Sequence, residues 1–301
     1  MKKVKSIFLF LMMASVFTAC SNDDDDNEVL KPTAKNIEIG TANNKQALIG
    51  RDFHFNADVT AGDKIASVQL KILPKAGEKY TKDWKLEFTW PEYAGVKNTN
   101  VHKHFTIPAD APEGKFDFLF IVKDENGSTL EIKEVLTITD PANMPVDPVI
   151  GRDILSRNED LIYYMETWVE PQLVFKKNDK LTAHAQISQI MGNGILYSVL
   201  IKKSLNYHPE SIDNLDLKKV IIISKVEHKD LGPASKITTL QKINDVYGGE
   251  SIVIGADKDN QANAITAEKA WESGQYNWVV LYKNTSYNMS VYKSMPITIN
   301  L

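Results

Sequence analysis

Phe53-His54-Phe55-Asn56-Ala57-Asp58-Val59 alternates apolar and polar side chains residue by residue, the period-two pattern of a strand with one buried face. Phe53, Phe55, Ala57 and Val59 are predicted to face a core, and His54 to point away from it. The same period recurs on either side. Ala34 to Ile39, Val68 to Ile72, Trp84 to Trp90, Val101 to Ile107, Phe116 to Val122 and Leu130 to Ile138 all alternate. Lys123-Asp124-Glu125-Asn126-Gly127 supplies a hairpin turn, with Gly127 free to take positive φ. Strands of this number and spacing predict an immunoglobulin-like sandwich over residues 31–140.

Pro141, Pro145 and Pro148 then interrupt the alternation and mark residues 141–153 as a linker. From 154 to 301 the pattern resumes with longer excursions, at Leu181 to Ile187, Ile195 to Ile201, Val220 to Ile223, Ile252 to Ile254, Tyr276 to Tyr282 and Met289 to Ile299. Val220 to Ile223 is continuously apolar, as suits a central strand. Insertions at Ser204–Lys218 and His228–Glu250 make this half the richer in loops. Gly114-x-Phe116-x-Phe118 and Gly274-x-Tyr276-x-Trp278 repeat one motif in the two halves, as at the E–F corner of immunoglobulin-like sandwiches. The expected fold class is all-β, with two tandem immunoglobulin-like β-sandwich domains, the second at 154–301.

The N-terminus carries an address. Lys2, Lys3 and Lys5 precede an apolar run from Ile7 to Phe17 that is too short to span a bilayer, so residues 1–19 read as an export signal. Phe17-Thr18-Ala19-Cys20 resembles the bacterial lipobox, which implies acylation of the Cys20 thiol and cleavage before it. Two or more acyl chains, at about 0.8 kcal/mol per buried CH₂, anchor stably. Residues 20–30, with Asp23 to Asp26 and Glu28, read as an extended acidic tether of up to roughly 30 Å. Acidic residues directly after a lipidated Cys resemble the signal that sends Bacteroidota lipoproteins to the outer leaflet of the outer membrane. A periplasm-facing orientation is the alternative.

Val101-His102-Lys103-His104-Phe105-Thr106-Ile107-Pro108-Ala109-Asp110, with Gly114, Phe116 and Asp124-Glu125-Asn126-Gly127, resembles an immunoglobulin-like lipoprotein domain of unassigned function found in Bacteroidota. The resemblance covers residues 31–140. It implies palmitoylated attachment and no particular chemistry.

Among 301 residues, 35 Lys and Arg stand against 39 Asp and Glu, and only Arg51, Arg152 and Arg157 are Arg, so no cationic field for nucleic acid exists. One Cys excludes an intrachain disulfide and Cys-rich zinc sites. No nucleophile elbow, phosphate loop or dinucleotide fingerprint occurs. Asp257-Lys258-Asp259-Asn260-Gln261 begins like a calcium loop but lacks its later ligands and Gly. No pair of carboxylates is singled out by spacing, and no catalytic residues are assigned.

Two groups of side chains suggest binding. Tyr80, Tyr93, Tyr163, Tyr164 and Trp168 fall in loops or beside the linker, where aromatics stack on sugars, anchor partners or seal a domain contact. His102 and His104, at i and i+2 on one strand face, join His54 if the two strands are neighbours. Three imidazoles on one outer face could ligate Zn²⁺ or Cu²⁺, or simply stand solvated. Without that metal no cofactor is expected. The sequence therefore predicts a surface-exposed, lipid-anchored, non-enzymatic binding protein with a glycan or protein ligand, accessory to nutrient uptake through a TonB-dependent receptor. The alternatives are an adhesin or fimbria-like subunit and a secreted hydrolase.

Overall fold

The computed structural model describes residues 29–170, 174–243 and 246–301. The export segment, Cys20 and the acidic run to Glu28 lie outside the described residues. In the first half the strands are β1 (Thr33–Ile39), β2 (Gln46–Leu48), β3 (Asp52–Thr60), β4 (Ile65–Pro74), β5 (Leu86–Trp90), β6 (Asn98–Thr106), β7 (Gly114–Asp124) and β8 (Thr129–Thr139). In the second they are β9 (Val149–Arg157), β10 (Asp160–Tyr164), β11 (Thr167–Trp168), β12 (Val174–Lys176), β13 (Lys180–Lys202), β14 (Val220–Thr238), β15 (Leu240–Ile243), β16 (Val246–Gly249), β17 (Ser251–Val253), β18 (Gly274–Asn284) and β19 (Met289–Asn300). The described helical segments are short 3₁₀ turns, and the chain is all-β.

The first half is a β-sandwich. A three-stranded sheet, β1-β3-β6, faces a five-stranded sheet, β2-β8-β7-β4-β5. Phe53, Phe55, Ala57 and Val59 are all buried, and the two Phe rings meet the opposite sheet, with Phe55 4.7 Å from Phe120 and 5.6 Å from Phe118 between ring centroids. Burying a large apolar side chain contributes about 1.5–3 kcal/mol, and this cluster gathers five Phe. Strand β2 lacks visible alternation because it is three residues long; it pairs in parallel with β8. Lys103 interrupts the apolar face of β6. Its ammonium lies over the rings of Trp90 and Tyr93 and pairs with Glu92, which reconciles a charge with that position.

The second half holds one hydrogen-bonded network of nine strands, β11-β10-β9-β13-β18-β19-β12 with β14 and β17 also on β13, and a separate two-stranded hairpin, β15-β16. The alternating segments Leu181–Ile187 and Ile195–Ile201, expected as separate strands, belong to the single 23-residue strand β13. Bulges between Ile187 and Gly194 bend it, with Gln189 and Gly192 at positive φ, so that it pairs with β9 early and β18 late. Much of the expected 228–250 insertion is likewise strand, since β14 runs to Thr238.

This sheet is apolar on both sides. Trp278, Tyr276, Leu200 and Ile223 lie in the main core, while Val199, Ile201, Val220, Ile222, Val279 and Leu281 form a second cluster on the other face. Tyr207, Ile212 and Leu215 cover that second cluster. The 203–219 insertion therefore lies flat on the sheet because its apolar residues have somewhere to be buried. The Gly-aromatic repeat has a structural counterpart, since Gly114 and Gly274 open β7 and β18 at φ of 144° and 153°.

Candidate metal centre

The centre begins with strand register. β3 and β6 are antiparallel neighbours, with His54 opposite His104 and Asn56 opposite His102. Residues directly opposite share a sheet face, and i, i+2 residues on one strand share it too, so all three imidazoles leave the same side. His54 is buried, whereas His102 and His104 are exposed. The sequence reading set all three in solvent; the second half covers His54.

The covering group is Glu210, which sequence reasoning did not single out. It sits in the insertion between two 3₁₀ turns, Lys203–Leu205 and Ile212–Asn214, and is itself buried. Glu210 Oε1 lies 3.1 Å from His102 Nε2 and 3.1 Å from His104 Nε2. Its Oε2 lies 2.6 Å from His54 Nδ1 without an aligned hydrogen bond. His104 Nε2 is 3.3 Å from His102 Nε2 and 3.5 Å from His54 Nδ1. One donor atom from each of the four residues falls within 4.8 Å of all the others.

These separations have a chemical meaning. With bonds of about 2.0–2.1 Å, a tetrahedral zinc site has ligand–ligand edges of about 3.3 Å. Four of the six separations, 3.1, 3.1, 3.3 and 3.5 Å, lie close to that edge, and the other two are within 4.8 Å. Two of the imidazoles are also backed by carboxylates. His54 Nε2 is 3.2 Å from Glu38 Oε2, and His104 Nδ1 is 2.6 Å from Asp52 Oδ2. A carboxylate accepting the outer N–H fixes the tautomer and aims the other nitrogen's lone pair inward, as in carboxylate–histidine–metal triads. Asn214 Nδ2 donates to Glu38 Oε1 at 3.0 Å, so the second half also steadies this outer carboxylate.

Protonation follows the same contacts. Hydrogen bonding to Asp52, then to Glu210, raises His104 to about 10. Burial disfavours the His54 cation, but Glu210 and Glu38 overcome it and raise its pKa. Burial lowers His102, and the charges on His54 and His104 push the same way. Burial also opposes charge on Glu210, yet His104 and His54 hold its carboxyl well below the usual carboxylate range. Without metal these contacts favour the cationic form of His54 and His104 beside the Glu210 carboxylate and the neutral form of His102. A divalent cation can take the place of those protons.

The loop aromatics do not form one platform. Tyr163 is buried and donates to Asp153 Oδ2 at 2.8 Å, with Trp168 against its ring edge at 5.0 Å between centroids. Tyr80 donates to the Lys115 carbonyl and accepts from Lys75 N, sealing the Gly114–Phe116 corner. Tyr93 packs on the first core beneath Lys103. Tyr164 alone of the five is exposed. At the 257–261 segment, which only begins like a calcium loop, buried Asp259 binds Lys269 Nζ at 3.2 Å and backbone N–H groups of its own turn, so the carboxylate is satisfied by protein.

Residues 18–139 match a family described as a domain of unknown function, DUF4625. His54, His102, His104, Glu38 and Asp52 fall inside the matched stretch, and Glu210 falls outside it. No curated protein matches the sequence. Among solved structures, dimeric latent PorU from Porphyromonas gingivalis aligns with 92% of this chain at 11% identity and a TM-score of 0.33. The alignment covers 21% of the PorU chain, so this protein spans about a fifth of its length. Native E. coli alpha-2-macroglobulin aligns with 90% of the chain and 14% of its own, at 8% identity and a TM-score of 0.24. A structure of carbohydrate-binding modules from the β-sandwich superfamily aligns with 90% of the chain and 94% of its own, at 9% identity and a TM-score of 0.25.

Proposed function

We propose that this protein is an exported, lipid-anchored, non-enzymatic binding protein of immunoglobulin-like build whose ligand is a divalent transition-metal ion, held by His54, His102, His104 and Glu210. The observation that carries this reading is the convergence of four donor atoms within 4.8 Å. Three nitrogens and one carboxylate oxygen, with four of their six separations near a tetrahedral edge, suit Zn²⁺, while Cu²⁺ favours a tetragonal arrangement. Four protein ligands also fill a tetrahedral shell. Catalytic zinc sites keep one position for water or substrate, so the full set favours binding over hydrolysis. Anchorage at the outer membrane through Cys20 is the part of the proposal that rests on the leader and the acidic tether.

The test is metal titration of the mature chain, residues 20–301 with Cys20→Ser to omit the lipid. One equivalent of Zn²⁺ should bind at pH 7.5, and a His102→Ala/His104→Ala double variant should lose that binding. Equal, weak binding by both chains would remove the metal reading.

A further inference from the structure

We infer that the metal ion acts as a latch that joins the two halves of the chain. The inference rests on the metal reading above and extends it from occupancy to shape. Three of the ligands stand on β3 and β6 of the first sandwich, and the fourth comes from the 203–219 insertion of the second half. A single coordination shell would thus contain both.

The rest of the contact makes this consequential. Among the described residues no strand ladder pairs a residue before 140 with one after 148. The apolar cores are separate as well: one runs from Ile39 to Ile138, the others from Leu155 to Ile299. Among the described residues, the hydrogen bonds and ion pairs that cross are Asn214 on Glu38 and the metal-ligand set itself, with Arg51 pairing with Asp147 of the connecting segment; beside them the Tyr292 ring stands 6.4 Å from that of His104, and Met289 lines one cavity with Leu48 and Phe53. Domains that share no core cluster and no strand ladder are free to move unless their interface is large and hydrophobic.

Glu210 is also a firm arm of the second half. Its insertion is pinned to the β18–β19 hairpin by the Lys283–Asp213 pair and by Ser211 Oγ, 3.4 Å from Ser290 Oγ. Tyr207, Ile212 and Leu215 bury its apolar side against the sheet. Coordination by Glu210 therefore holds the whole second half, where a floppy loop would merely fold over the histidines. Binding that requires ligands from both bodies must favour the docked arrangement by its differential affinity for that state.

The mature chain with Cys20→Ser has no other Cys, so Glu131→Cys and Lys229→Cys, both exposed and away from the centre, can carry one spin label in each half. Distances between the labels are measured with chelator and with one equivalent of Zn²⁺, alongside calorimetric binding. The expected result is a distance distribution that narrows on Zn²⁺ addition. A Glu210→Gln chain should bind Zn²⁺ at least about tenfold more weakly and, even when saturated, keep the broad distribution. Zn²⁺ binding with an unchanged distribution overturns the latch and leaves the metal site standing. Equal narrowing in Glu210→Gln overturns the latch as well. Failure of the unsubstituted chain to bind Zn²⁺ overturns the metal reading beneath it.

Discussion

His54 and His104 stand directly opposite each other on antiparallel strands, their facing ring nitrogens 3.5 Å apart and their outer nitrogens on separate carboxylates, Glu38 and Asp52. Each imidazole is thereby clamped from outside and aimed inward. Removing a clamp should loosen the centre without deleting a ligand. Asp52→Asn and Glu38→Gln should each weaken Zn²⁺ binding by about 10–100-fold while leaving the stoichiometry at one. Unchanged affinity in both would show that the carboxylates do not orient the rings.

Metal binding should fail in acid. His ligands must be neutral to bind, and acidification restores the protons the ion displaced. Zn²⁺ bound at pH 7.5 should therefore be released near pH 5.5, and the lost affinity should return on back-titration. Binding that is flat across this range would mean that carboxylates alone hold the ion.

Asp124 ties the β3–β4 turn to the β7–β8 turn. Its carboxylate accepts from Gly62 N at 2.7 Å, Asp63 N at 3.1 Å and Asn126 N at 3.0 Å. Burial opposes the charge, but these backbone donors lower the pKa below its ordinary 3.8. A folded value below the unfolded one gives stabilisation that is present above about pH 4 and lost as the pH falls through the folded value. Asp124→Ala should destabilise the chain by about 2–3 kcal/mol at pH 7, because buried N–H groups lose a charged acceptor. Chemical denaturation at pH 7 and pH 3 measures both effects, and the deficit of the variant should shrink at the lower pH.

The close packing of β13 between β14 and β18 depends on Gly194. A Cβ there would lie 2.4 Å from His228 Nε2, 2.7 Å from the Tyr282 hydroxyl and 2.8 Å from the Lys283 carbonyl oxygen. His228 Nδ1 donates to the Gly192 carbonyl at 2.9 Å, and its Nε2 accepts from Tyr282 at 3.0 Å, so the ring cannot retreat without breaking both bonds. Gly194→Ala is expected to cost about 1–3 kcal/mol. Thermal unfolding should register that loss in the second half, and a variant as stable as the parent would contradict this packing.

Strand identity was legible in the order of residues, because the pleat turns successive side chains to opposite faces and burial of one face leaves a period of two. The faces of Phe53, His54, Phe55, His102 and His104 follow from that local rule. Tertiary structure decided the rest. That His54 stands opposite His104 is a matter of register between two residues fifty positions apart in the chain. Joining 181–187 to 195–201 in one strand depends on bulges whose positive φ values carry no periodic signal. Glu210 is over a hundred residues from His102. It reaches the centre because Tyr207, Ile212 and Leu215 find an apolar sheet face to cover, and no spacing along the chain encodes a contact made by packing.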